Sequence, residues 1–264
     1  MRKFARWFLG AFPRTWLQRM ANILLPFLDL WYRGSRFTDP INGKSYRAFL
    51  PYGYVKIRPN VLSPGTLSLE RHRLIWLYLQ RETDFFQTPA KVLHMAPEKA
   101  FLVRLKKIPH LDYTTCDLES PLADIKADIC DLPFKDASFD WVLCNHVLEH
   151  IPNDTKAMEE LFRVLKPGGT ALLQVPQDPK RKVTFEDNSI TDKAERTKIF
   201  GQYDHVRVYG MDYFEKLRKT GFEVAELQYG KSLTADERKR FAVVENEYIP
   251  LCKHPIEDRR KNQQ

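Results

Sequence analysis

The chain has 264 residues, of which 43% are hydrophobic and 29% charged, with a formal net charge of +8. That length supports one full hydrophobic core with additions, and the ordinary composition excludes fibrous, low-complexity and disulfide-framework classes. Its four cysteines show no C-x-x-C spacing and read as reduced, buried thiols, so no metal site is expected.

Residues 1–36 read as a basic, amphipathic helical leader. Arg2, Lys3, Arg6, Arg14 and Arg19 precede the first acidic residue, Asp29, and aromatic and aliphatic residues recur largely at three- and four-residue intervals. Pro13 and Pro26 divide it into two short helices, and no run is long enough to span a bilayer. Two readings fit this leader. It packs on the domain, or residues 1–33 lie on an anionic membrane surface. The bases form no dense stripe, so no specific nucleic acid is expected. The expected location is cytoplasmic, peripheral to the inner membrane face if the leader meets lipid.

Residues 37–69 are rich in Pro, Gly, Asn and Ser and read as a small module of short strands and turns. A larger domain follows over 70–256, with a charged tail at 257–264. Glu70 to Phe86 reads as a helix, Lys91 to Met95 as the domain's first strand, 99–107 as a helix and Leu111 to Cys116 as a second strand. Asp124 to Ile129 reads as a third strand and Asp140 to Cys144 as a fourth, short and apolar as a strand buried on both faces should be. A helix beginning near Asn153 or Asp154 carries Met158, Leu161, Phe162 and Leu165 at one-face spacing. Pro167-Gly168-Gly169 stops it before a strand over Thr170 to Val175. Residues 178–209 form a polar insertion with weak helical character around 192–200. A helix over Asp212 to Thr220 opens on an Asp212/Glu215 capping box, and a strand over Phe222 to Tyr229 comes next. Thr234 and Glu237 mark another helix start, and Phe241 to Ile249 reads as the last strand. Strands alternating with helices give an α/β class: a Rossmann-like, doubly wound, mostly parallel sheet of about seven strands with helices on both faces.

Such sheets bind ligands beyond the carboxyl ends of their strands, which places Asn145, His146 and Gln177 near a site. Asp117 ends the second strand about 20 residues after the first, the spacing at which a carboxylate accepts from both hydroxyls of a ribose.

The run D-I-C-D-L-P-F…S-F-D…N-H-V-L-E-H-I…R-V-L-K-P-G-G resembles the class I S-adenosylmethionine-dependent methyltransferases of the small-molecule type (methyltransferase type 11). The resemblance implies S-adenosyl-L-methionine as cofactor and an unidentified small-molecule or lipid-linked methyl acceptor. It also implies cofactor roles for Asp117 and its neighbour Leu118 at the ribose, Asp128 and Ile129 at the adenine, and Asn145 beside the sulfonium. The family's first loop is Gly-rich, but here it is His94-Met95-Ala96-Pro97-Glu98-Lys99-Ala100. Either Ala96 is small enough and Glu98 meets the methionine ammonium beside His94, or cofactor binding is weakened or lost. Some such enzymes carry a zinc module ahead of the domain. Asp39, Asn42, Ser63 and Thr66 stand where its thiols would, so residues 37–69 read as a metal-free relic or simply as two turns.

The insertion supplies candidates for the acceptor side. His205 is a candidate base and Arg207 a holder of an anionic group, with Tyr203, Asp204 and Asp187 orienting them. Alternation puts His205, Arg207 and Tyr209 on one face if the segment is extended. His146 is a third catalytic candidate, whereas His150 reads as structural. Two other classes compete with the enzyme: an inactive interaction protein on the same fold, suggested by the glycine-free loop, and an NAD-dependent oxidoreductase, disfavoured because no G-x-G-x-x-G is present.

Overall fold

A computed structural model describes residues 24–53 and 57–256. The leader's first helix and the charged tail, as expected from sequence, lie outside the described residues. Residues 24–31 are helical and leave Leu24, Phe27, Leu30 and Trp31 exposed to solvent. Among the described residues, no helix is long and apolar enough to cross a membrane.

The turn-rich module forms two hairpins, β1 (Arg33–Asp39) with β2 (Lys44–Tyr46) and β3 (Leu50–Tyr52) with β4 (Arg58–Leu62). Asp39 is fully buried and joins the module's two turns: Oδ1 accepts from the Ile41 N–H, while Oδ2 accepts from the Thr66 and Ser68 hydroxyls at 2.5 and 3.1 Å. Asp29 of the leader accepts from Tyr46 and Lys44, fastening residues 24–31 to the same turns.

The domain then alternates: α1 (Glu70–Glu82), β5 (Ala90–Met95), α2 (Lys99–Leu105), β6 (Leu111–Asp117), β7 (Ile125–Lys126), β8 (Phe139–Cys144), α3 (Asp154–Val164) and β9 (Leu165–Leu172). The insertion contributes a small ribbon, β10 (Phe185–Glu186) with β11 (Arg207–Val208), around α4 (Lys193–Phe200). The chain closes with α5 (Tyr213–Lys219), β12 (Glu223–Leu227), α6 (Ala235–Phe241) and β13 (Ile249–Lys253). Seven strands form one sheet in the order β12-β13-β9-β8-β5-β6-β7. All neighbours are parallel except β13, which runs antiparallel to both β12 and β9. Both faces are covered. Leu93, Val142 and Ala171 meet Met158 and Leu161 of α3 on one face, and Val92, Leu143 and Leu172 meet Leu74 of α1 and Phe101 of α2 on the other. This double burial is why these strands are almost continuously apolar.

Several expectations are corrected. Leu165 leaves α3 and opens β9, and Pro167-Gly168-Gly169 lies inside that strand as a bulge where the pairing shifts between Phe139 and Trp141. A Cβ at Gly169 would come within 2.8 Å of the Lys166 carbonyl, so the bulge requires glycine there. Asp212 precedes α5 but caps nothing. Its Oδ1 instead accepts from the Thr184 N–H and hydroxyl, both at 2.7 Å, anchoring the insertion. Thr234 and Glu237 do form the expected reciprocal capping box, but the helix they open runs to Phe241, and the last strand starts only at Ile249.

One cation ties the module to the domain. Arg73 of α1 is fully buried. Its guanidinium donates to the carbonyls of Val61, Ser68, Phe241 and Ala242 at 2.6–3.0 Å and sits 4.7 Å from the Phe49 ring centroid. Replacing it by an apolar chain strands four carbonyls. Arg73→Met is therefore expected to cost at least about 3 kcal/mol, read as a lowered urea midpoint.

Candidate functional site

The strand order reverses between β5 and β8, because the chain lays β6 and β7 to one side before returning to place β8 and β9 on the other. Loops leaving the carboxyl ends of β5 and β8 must diverge there, which opens a crevice. A cavity of about 590 Å3 occupies it, lined by Ala96, Asp117, Asp128, Ile129, His146 and His150, among others. The exposed Leu118 stands at its rim.

Both loops turn through left-handed backbone. Ala96 has φ +46° and His146 has φ +56°. At Ala96 the N–H donates to the Cys116 carbonyl at 2.8 Å, so alanine accepts a conformation that glycine would take freely. The missing glycines thus leave the backbone turn in place and load it with strain. Ala96→Gly is expected to hold or raise the thermal midpoint, whereas Ala96→Val should lower it by several degrees.

Asp117 and Asp128 hold their own turns with one oxygen each. Asp117 Oδ1 accepts from the Glu119 and Ser120 N–H groups at 2.8 and 2.6 Å, and Asp128 Oδ1 accepts from the Cys130 N–H at 2.8 Å. The second oxygen of each remains for a ligand that donates.

His94 and Glu98 lie behind this wall. His94 is fully buried, and its Nε2 is 2.8 Å from Glu98 Oε2. Because a carboxylate only accepts, Nε2 carries the proton, and in the neutral ring Nδ1 accepts the Tyr113 hydroxyl at 2.6 Å. On the other side His72 Nδ1 accepts the Leu69 N–H, which leaves Nε2–H facing Glu98 Oε1 at 3.2 Å. Burial pushes Glu98 up, but the two imidazoles outweigh it and hold the carboxyl well below its usual range. His94 is accordingly a strut for Glu98 and does not line the cavity. Asn145, 2% exposed, places Nδ2 3.5 Å from Glu98 Oε2, and its Oδ1 has no hydrogen-bond partner.

Burial lowers His72 from 6.5 to about 4. The unfolded imidazole takes up a proton near pH 6.5 and the folded one near 4, so stability falls as pH drops through that window, by on the order of 3 kcal/mol. Glu98 adds to the loss below its unfolded value of 4.5, as acid overcomes its lowered folded value. His72→Asn should flatten the slope of the urea midpoint between pH 4 and 6.5.

The insertion forms a wall of the site. Arg207, 2% exposed, donates to the carbonyls of Leu148, Ile151 and Pro152 and to Glu186 at 2.5–2.9 Å. Tyr209 donates to Asp154 at 2.8 Å. Arg207 therefore clamps the 148–152 turn and is withdrawn from any anionic acceptor, which corrects its expected role. Asp187 accepts from Ser189 in a local turn. His205 faces the same turn: its Nδ1 lies 3.2 Å from the Phe200 carbonyl, and its ring stands 4.7 Å from that of His150. Burial holds His205 below its usual value, so it is neutral at pH 7.

Glu149, which carried no reading in sequence, and His150, read there as structural, both lie at the crevice. Glu149 is 1% exposed, and His146 Nδ1 lies 3.2 Å from its Oε1. Burial raises its pKa, yet His146 and His150 outweigh that and leave it lowered. His146 Nε2 is buried with no partner. Beyond His146 lies a second, polar cavity of about 270 Å3, lined by Arg58, Glu70, Arg71, Gln177 and Glu247. The H-x-x-E-H spacing was the one available signal for Glu149. Nothing local signalled His72 or Tyr113, which reach Glu98 from other elements.

Residues 86–173 match the family described as "Methyltransferase domain". An uncharacterized protein of Methanocaldococcus jannaschii is 51% identical over 78 residues, 29% of this chain and 34% of that protein. The demethylmenaquinone methyltransferase of Staphylococcus carnosus is 42% identical over 55 residues, covering 21% of this chain and 23% of its own length. The chain thus spans about a third or less of these two relatives. Among solved structures, the Burkholderia thailandensis 1,6-didemethyltoxoflavin-N1-methyltransferase superposes with a TM-score of 0.44 at 15% identity, over 70% of this chain and 78% of that one.

Proposed function

We propose, for a chain whose residues 86–173 match the methyltransferase-domain family, an S-adenosyl-L-methionine-dependent methyl transfer to an unidentified small-molecule or lipid-linked acceptor. The observation that carries the reading is the crevice between β5 and β8, with Asp117 and Asp128 each keeping one oxygen for a ligand. Asn145 Oδ1 is buried and unpartnered among the described residues, and Asn145 follows β8 at the crevice without lining the cavity. The cofactor supplies an electrophilic methyl group on a sulfonium. Asp117 would hold the ribose hydroxyls, Asp128 the adenine amino group and Asn145 the methionine end. Ala96 turns the backbone past the ligand, and Glu98, held by two histidines, keeps that turn in place.

An acceptor that carries a proton must lose it. His146 is arranged to receive it. Its Nδ1 stands 3.2 Å from Glu149 Oε1, and the residue lines both cavities. The polar second cavity offers room for the acceptor. Charge disperses in the transition state, so positioning and exclusion of water dominate the catalysis. Free thiols at Cys116, Cys130, Cys144 and Cys252 accord with a cytoplasmic place. The exposed Leu24, Phe27, Leu30 and Trp31 support contact between the leader and an anionic membrane face.

Titration calorimetry with S-adenosylhomocysteine tests the reading. Binding is expected, and Asp117→Ala should weaken it by about 1–3 kcal/mol, the loss of hydrogen bonds to a charged group. No heat at millimolar ligand would overturn the enzyme and favour an interaction protein on this fold.

A further inference from the structure

Glu149, His150 and His205 each bring one ligand atom within 4.8 Å of the others. Each residue is set up as a ligand by its other contacts. His205 Nδ1 lies 3.2 Å from the Phe200 carbonyl, and His150 Nδ1 lies 3.3 Å from the Asp204 carbonyl. A carbonyl can only accept, so both Nδ1 atoms carry protons and both lone pairs sit on Nε2. A ring held by a carbonyl at Nδ1 and free at Nε2 is the usual state of a metal-binding histidine. Glu149 supplies the independent observation. It is 1% exposed, and neither carboxylate oxygen has an aligned hydrogen-bond partner. A buried anion with unfilled acceptor sites is costly unless a cation meets it. His146 is 3.2 Å from Oε1 alone, which leaves Oε2 unaccounted for.

We propose that Glu149, His150 and His205 bind a divalent first-row transition-metal ion, such as Zn2+ or Co2+, at the wall of the crevice. Two imidazoles and one carboxylate favour such ions over Mg2+ or Ca2+, which prefer all-oxygen ligand sets. Neighbouring ligands of a tetrahedral ion at about 2.1 Å stand about 3.4 Å apart, so ligand atoms within 4.8 Å of one another close on it with movements of up to about 1.4 Å. The location follows from the clamp already described. Arg207 and Tyr209 bind the 148–154 turn, and that pairing carries His205 onto His150. Protein donates three ligands, and His150 and Asp204 line the cavity, so the remaining coordination positions face it. A ligand oxygen held there, from water or an acceptor hydroxyl, would lose its proton more readily. This last step rests on the cofactor reading, whereas the binding site does not.

The test uses the full chain after treatment with a chelator. Co2+ is titrated in and followed by visible absorption, and Zn2+ by calorimetry. One ion per chain is expected, with affinity reduced at least about tenfold in His205→Ala and in Glu149→Gln. Circular dichroism confirms the fold of each variant, and the His205 change, on a half-buried loop, keeps the test available if Glu149→Gln does not fold. Absence of stoichiometric binding, or unchanged affinity in a folded variant, overturns the site. S-adenosylhomocysteine binding measured on the chelated protein separates this outcome from failure of the cofactor reading.

Discussion

A buried carboxylate needs partners, and that of Glu98 dictates how three parts of the chain meet. His94 from β5 and Asn145 from the end of β8 meet its Oε2 at 2.8 and 3.5 Å, and His72 from α1 stands 3.2 Å from Oε1 without an aligned hydrogen bond. Without these donors the charge would be too costly inside the fold. With them, it locks the loop that leaves β5. That loop has no glycine, yet it still turns through left-handed backbone at Ala96. The conformation that glycine's freedom would supply is obtained here from side chains that overdetermine it.

The same economy governs the other side of the crevice. The insertion between β9 and α5 is polar, with only weak helical character legible in its sequence. Arg207 and Tyr209 turn it into a wall by filling the carbonyls and the carboxylate of the 148–154 segment. Asp212 pins its far end at Thr184. An arginine so engaged cannot also bind a substrate anion. Its contribution is to bring His205 beside His150 and Glu149, and so to gather a buried carboxylate and two imidazoles at the edge of the crevice.

Much of the fold was legible because its causes are local. The apolar runs of β5, β8 and β9, the spacing of Met158 and Leu161, and the Thr234/Glu237 capping box each express a backbone requirement within a few residues. Asp117 was legible as a lining residue from its strand end and spacing, whereas Asp128 and Ala96 were legible only through the resemblance to a family. The errors arose where a local pattern had a distant competitor. Asp212 fits a capping box but is taken by Thr184, 28 residues away in sequence. Leu165 fits a helical stripe but pairs with Phe139 as a strand. His94 sits at the end of a strand that reaches the crevice, yet its ring turns inward to Glu98 and Tyr113.

By itself, the sequence determined the α/β class, the mostly parallel run of the central strands and the edge of the sheet where the candidate site lies. These follow from periodicity and chain connectivity, which need no knowledge of remote partners. Tertiary structure alone decided which polar side chains face the crevice and which support it. His72, His94, Glu98 and Arg207 became supports because buried charges and donors must be satisfied by whatever the fold brings near. Glu149, His150 and His205 became a cluster because the clamp on one turn delivers the third residue to the other two.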